Sequence, residues 1–160
     1  MAPLRTLGLW LARLAVSAWV GAATLFVIVG VSEVTTADFD SVIRDRLVVV
    51  RFPWYYAAGF TLVAVGTVGT ALARGHAQLS HRRWICALGL LVLGLAGMTA
   101  DYVAIYRPLE EMVTPPGKPR MQEFVTLHEW SARVNGVNLL LCAAAAGVLT
   151  WPRTTASRPE

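Results

Sequence analysis

The stretch Leu14 to Val31, LAVSAWVGAATLFVIVGV, contains no Asp, Glu, Lys, Arg or His. At a rise of about 1.5 Å per residue, such a run comes close to crossing a hydrocarbon core of about 30 Å. In that medium a single segment satisfies its own backbone hydrogen bonds only as a helix. Three further runs share the property: Trp54 to Ala73, Trp84 to Ala100 and Val134 to Trp151. The predicted fold is therefore all-α, an integral membrane four-helix bundle with one domain over residues 1–151 and a short cytoplasmic tail over 152–160.

Composition agrees with that reading. Of 160 residues, 56% are hydrophobic and 15% charged, whereas a soluble domain carries about a quarter charged residues. The mean hydropathy is +0.54 and the isoelectric point about 9.6. Basicity alone does not imply nucleic acid: no basic run exceeds Arg82-Arg83, and no helix joins a basic face to stacking aromatics, so nucleic acid is not expected as a partner. Cys86 and Cys142 both lie in apolar runs, where buried thiols are ordinary. On antiparallel helices they differ in depth by roughly 10 Å, too far for a disulfide.

Met1 to Arg13 resembles the start of a signal peptide, but the apolar run that follows is longer than the roughly 7 to 15 residues of a signal h-region. A retained first helix is expected, with cleavage after Ala22-Ala23 as the alternative. Four spans put both termini on one side. The segments on that side hold Arg5, Arg13, Arg74, Arg82, Arg83, Arg153 and Arg158. The other two connections hold as many bases, Arg44, Arg46, Arg51, Arg107, Lys118, Arg120 and Arg133, together with nine acids. The denser arginines of the short segments favour cytoplasmic termini in a cell inner membrane.

The connection from Ser32 to Pro53 carries Glu33, Asp38 and Asp40, then an amphipathic stretch from Ser41 to Arg51 that suits the interface, with Pro53 in the first turn of the second span. Pro108, Pro115, Pro116, Gly117 and Pro119 make Arg107 to Arg120 an irregular loop. The tail after Trp151 reads as a disordered end. Most Trp and Tyr residues fall near run ends, where their amphipathic rings anchor at headgroup level.

Polar residues inside the runs are sparse and ordered. At about 100° per residue, His128, Ser131, Asn135, Asn138 and Cys142 fall within an arc of about 80°. Lipid offers them no partner, so this stripe should face other helices, either as interhelical glue or as a ligand, proton or ion pathway. Cys86, Gly94, Gly97 and Asp101 share an arc of the third helix, and Ser17, Gly21 and Thr24 one of the first, while Gly59, Gly66 and Gly69 lighten the second. Asp101 and His128 should meet at the outer bundle end, joined there by Glu33, Tyr55, Tyr56 and several arginines. The candidate ligand or ion site is His128, Asp101, Glu33 and Tyr55, with Ser131, Asn135 and Asn138 as a structural polar stripe.

As a metal centre this set is incomplete. His76 and His81 belong to the opposite loop, which excludes bis-histidine haem ligation across the bundle, and no HxxxH, CxxC or Glu-x-x-His pattern occurs. His128, Asp101 and Glu33 together would suit a divalent ion; the metal and any cofactor stay undetermined. No catalytic order, phosphate loop or zinc-protease signature is present, so no enzyme is expected.

The runs also carry Trp19-Val20-Gly21, Phe52-Pro53-Trp54-Tyr55-Tyr56, Ala100-Asp101-Tyr102 followed by Arg107-Pro108 and Met112, and Phe124-Val125-Thr126-Leu127-His128 followed by Ser131 and Asn135. Together these resemble the transmembrane protein 205-like family, four-helix membrane proteins largely of unknown function. The resemblance covers nearly the whole chain and is densest at Pro53, Tyr55, His128, Ser131 and Asn135. A eukaryotic member of that family is associated with export of platinum drugs, and the fold resembles copper-resistance membrane proteins. With two Cys and four scattered Met, sulfur-rich metal binding does not carry over. The expected function is binding or passage of a small ligand or metal ion at the outer polar cluster. The alternative is an accessory subunit of a larger respiratory, photosynthetic or transport complex, and a haem- or quinone-linked redox enzyme is a third.

Overall fold

A computed structural model describes residues 2–152, so expectations for the tail beyond them lie outside the described residues. Four long helices run antiparallel in succession: α1 (Ala2–Thr35), α2 (Ser41–Leu72), α3 (His81–Asp101) and, last in the chain, α5 (Gln122–Thr150). A π-helical turn (Tyr102–Tyr106) carries α3 without a break into the short α4 (Arg107–Met112). Four helices, of 34, 32, 32 and 29 residues with α3 and α4 taken as one, are long and apolar enough to cross a membrane. This is the architecture of a multi-pass membrane protein.

The helices are longer than the charge-free runs at their centres. At about 1.5 Å per residue they reach roughly 43 to 51 Å, beyond a hydrocarbon core of about 30 Å, so their ends stand in the headgroup region. Hence α5 begins at Gln122 rather than near Val134, and its first turns carry Glu123, His128, Glu129 and Arg133. The stretch from Ser41 to Arg51 is continuous with the second span, and Pro53 lies inside α2 instead of in its first turn. Its missing N–H removes one rung of the helical ladder. On the far side of Tyr106 the chain stays helical to Met112, and Pro108, inside this continuous helix, removes one rung of its ladder as Pro53 does in α2. The irregular loop therefore begins only at Val113.

Local signals start two helices. The Asp40 side chain accepts from the Ile43 N–H at 2.8 Å, and Ser80 accepts from Arg83 N–H, each satisfying a first-turn amide that has no partner in its own helix. Between α2 and α3, Gly75 takes φ +76°, a left-handed conformation that turns the chain back.

Small residues set the closeness of α1 and α2. A Cβ on Gly69 would stand 2.6 Å from the Gly8 carbonyl oxygen, and one on Gly66 2.5 Å from Val16 Cγ2. The expected Gly59, Gly66 and Gly69 face is thus the contact face of α2. On α1 the contact face is different from the expected one. Gly8, Ala12, Ala15, Val16, Trp19 and Ala23 are buried, while Ser17, Gly21 and Thr24 point outward. The three residues lie roughly 100° around the helix from Val16 and its stack, and volume decided which face packs: Val16 and Trp19 fill the notches that the α2 glycines leave. On α3, Gly94 and Asp101 face inward with Ala87, Leu91 and Met98. Cys86 is exposed and Cys142 buried, and both are free thiols.

The end that bears the start of α1 and the end of α5 is sealed by cations. Arg13 Nε donates to the Leu149 carbonyl at 2.8 Å. Arg83 donates to the Val148 carbonyl and to that of Trp151 at 2.6 Å. The first two are among the last carbonyls of α5 and that of Trp151 belongs to its C-cap; such carbonyls lack intrahelical donors and carry the negative end of the helix dipole. Trp84 Nε1 ties α3 to the Thr70 carbonyl of α2 at 2.8 Å.

Candidate functional site

At the opposite end, three helices converge on Asp101. It is the last residue of α3 and 1% exposed. From α2, the Tyr56 hydroxyl donates to Asp101 Oδ2 at 2.5 Å. From α5, Asn135 Nδ2 donates to the same oxygen at 2.8 Å. That amide also reaches back to the Ser131 carbonyl at 3.0 Å and to Ser131 Oγ at 3.2 Å. Tyr55 closes the network by donating to Asn135 Oδ1 at 3.1 Å. Tyr56 and Asn135 thus donate to one carboxylate, and Tyr55 and Ser131 join the network through Asn135.

Local sequence explains the convergence. Tyr56 stands on the inward face of α2 with Gly59, Val63 and Gly66, at steps of three and four residues. Ser131 and Asn138 are buried and Asn135 is half-buried on the inward stripe of α5. Gly94 leaves room opposite that stripe, since a Cβ there would stand 3.2 Å from Asn138 Oδ1.

Charge is what this arrangement lacks. The ion pairs among the described residues are Arg51 with Glu33 at 2.7 Å, Arg120 with Asp45, and Arg133 with Glu129 at 3.3 Å. Asp101 belongs to none of them. Its Oδ1 and the Asn138 Oδ1 are buried with no hydrogen-bond partner. A buried carboxylate without a counter-charge is expensive in any protein, and more so at membrane depth.

The residues expected at the site are distributed as follows. Asp101 and Tyr55 are in the network. Glu33 is not: Arg51 holds it, with the guanidinium carbon 5.0 Å from the centre of the Phe26 ring. His128 is exposed, and its ring stacks on Phe124 with centroids 5.9 Å apart. It lies one helical turn before the buried Ser131, so the inward stripe ends between the two. Among the described residues no three of His, Cys, Asp and Glu gather into a metal-binding group, which removes the divalent-ion set of His128, Asp101 and Glu33.

The sequence put Tyr56 at this end of the bundle but outside the candidate site, and did not single out Asp45, which lies outside the network. Tyr56 was legible as a member of the glycine face, since it precedes Gly59 by three residues. Asp45 is 1% exposed; it pairs with Arg120 and accepts from the Gly117 N–H at 2.9 Å. It lies eleven residues before Tyr56, close to three full turns, and therefore shares its face. That relation is visible only once α2 is known to run unbroken through Pro53.

No protein-family model, no curated protein and no solved structure matches this chain.

Proposed function

We propose that this chain is a non-enzymatic inner-membrane protein with cytoplasmic termini, whose Asp101 network binds a small cationic ligand or supports its passage. One observation carries the reading: Asp101 is buried among three helices, with one oxygen unbonded and no cationic side chain paired with it among the described residues. A carboxylate kept only as glue would be as well served by an amide of the same shape, because burying an unpaired charge costs several kcal/mol in practice. The cation it favours carries a single charge, since one carboxylate, an amide and two phenols offer too little negative charge for a divalent ion. The likeness to the transmembrane protein 205-like family, through Pro53, Tyr55, Ser131 and Asn135, belongs to the same proposal, with His128 outside the network.

The test is thermal unfolding of the purified chain, titrated with Na+, K+ and Mg2+. A ligand that binds only the folded state raises Tm by an amount that grows with the logarithm of its concentration relative to Kd. A monovalent cation should stabilise the native chain and leave Asp101→Asn unmoved. Equal responses of the two proteins would end the Asp101 reading.

A further inference from the structure

Beside Asp101, on the outer face of the bundle, α2 and the π-helical turn part to leave a groove of about 350 Å³. Its walls are Tyr56, Phe60, Tyr102 and Tyr106, with Pro53 and Ala57 as the floor of α2 and Glu110 at the rim. The rings are in mutual contact: Tyr56 lies 5.0 Å from Tyr102 and 4.7 Å from Tyr106, centroid to centroid. Tyr102 and Tyr106 stack at 5.4 Å, and Phe60 meets Tyr102 edge-on at 5.9 Å. The wide turn of the π-helix puts Tyr102 and Tyr106 on one side, and such turns recur at binding sites.

Two carboxylates border this aromatic wall and neither has a cationic partner among the described residues. Glu110 Oε1 accepts from the Tyr106 hydroxyl at 2.8 Å. Asp101 lies behind Tyr56, bonded to its hydroxyl. Tyr56 and Tyr106 are themselves buried, so the rings open to the groove are the half-exposed Tyr102 and Phe60, with the two phenol–carboxylate pairs directly behind them. Clustered aromatic faces with carboxylates at hand are the chemistry that recognises organic ammonium groups.

We propose that the groove binds a membrane-soluble organic ammonium, with its apolar body against the rings and its charge shared between Glu110 and, through Tyr56, Asp101. This rests on the reading of Asp101 as an uncompensated charge and names the ligand class. The occupant is a free ammonium rather than a phospholipid headgroup, because a headgroup brings an anionic phosphate within a few bonds of its amine and sets it against Glu110. The groove opens on the lipid-facing side, since Pro53 and Ala57 are exposed and Tyr102 and Phe60 half-exposed, so the ligand reaches it from the bilayer.

The experiment compares benzyltrimethylammonium with neopentylbenzene, its uncharged carbon isostere, by saturation-transfer NMR on the full chain in phosphatidylglycerol nanodiscs. The ammonium should bind at least about tenfold more tightly than the isostere, a preference the native chain alone can report. Tyr102→Leu and Glu110→Gln, both at half-exposed positions, should each weaken the ammonium by about threefold or more and leave the isostere unchanged. Asp101→Asn should do the same. Equal binding of the two compounds overturns the proposal, as does displacement of the ammonium in phosphatidylcholine nanodiscs, which would give the groove to a lipid headgroup. If the compounds bind equally while Na+ or K+ still stabilises only the chain with Asp101 intact, the groove inference fails alone; if neither response depends on Asp101, the proposed function falls with it.

Discussion

The two ends of the bundle treat charge in opposite ways. Where α1 begins and α5 ends, Arg13 and Arg83 are spent on the carbonyls that close α5, and each guanidinium has an acceptor. At the other end Arg51 and Arg120 neutralise Glu33 and Asp45, yet Asp101, as deeply buried as Asp45, faces only phenol and amide donors. Neutralised charge of the first kind fixes helix ends and loops. The lone carboxylate takes neutral donors from α2 and α5 and is left without a cation among the described residues.

The largest effect is expected at the tight crossing of α1 and α2, at the cation-sealed end. Gly69→Val would drive a side chain into the Gly8 carbonyl oxygen, 2.6 Å from its Cβ. Because the obstacle is backbone, the helices must part. We expect a loss of about 3 kcal/mol or more in detergent-titrated unfolding followed by Trp fluorescence. Gly97→Val, with nothing within 4 Å of its Cβ, is the control, at about 0.5 kcal/mol or less from packing. Similar losses at both positions would mean that α1 and α2 are not held by close approach.

The next two effects set the buried carboxylates against each other. Asp45→Asn removes the charge that holds Arg120 and weakens the bond from Gly117, whose φ of +89° marks a turn made for glycine. A loss of about 1 to 3 kcal/mol is expected, with faster hydrogen exchange over residues 113–121. Asp101→Asn should have the opposite character, neutral to stabilising within about 1 kcal/mol, since it deletes a charge that no cation offsets. Equal destabilisation by the two would erase the distinction between the carboxylates.

What the sequence made legible follows from the same physics. Charge-free runs state where lipid lies, and so the four helices and the inward turn of Ser131 and Asn138 could be read directly. Helix ends could not, because charged residues such as Glu123 and Arg133 are equally at home in a loop and in a helix that stands in the headgroup layer. The unbroken course of α2 through Pro53 hid Asp45 for that reason. Which face of α1 packs was undetermined by small residues alone, since Ser17, Gly21 and Thr24 form as plausible a face as Gly8, Ala12 and Ala15 until the bulk of Val16 and Trp19 is matched to the glycines of α2.

The smallest effect concerns His128, which spacing joins to the polar stripe and the fold turns away from it. Its ring is exposed and touches Phe124, whose other neighbour is the Arg120 guanidinium, 4.1 Å from the Phe124 centroid. An exposed side chain with a single stacking partner contributes little, so His128→Ala should change stability by no more than about 0.5 kcal/mol. It should also leave untouched the cation-dependent rise in Tm that Asp101→Asn removes, because it belongs to none of the hydrogen bonds around that carboxylate. Loss of the cation response in His128→Ala, with the bundle as stable as before, would instead make the start of α5 part of the site and extend the uncompensated region from the buried carboxylate out to the headgroup layer.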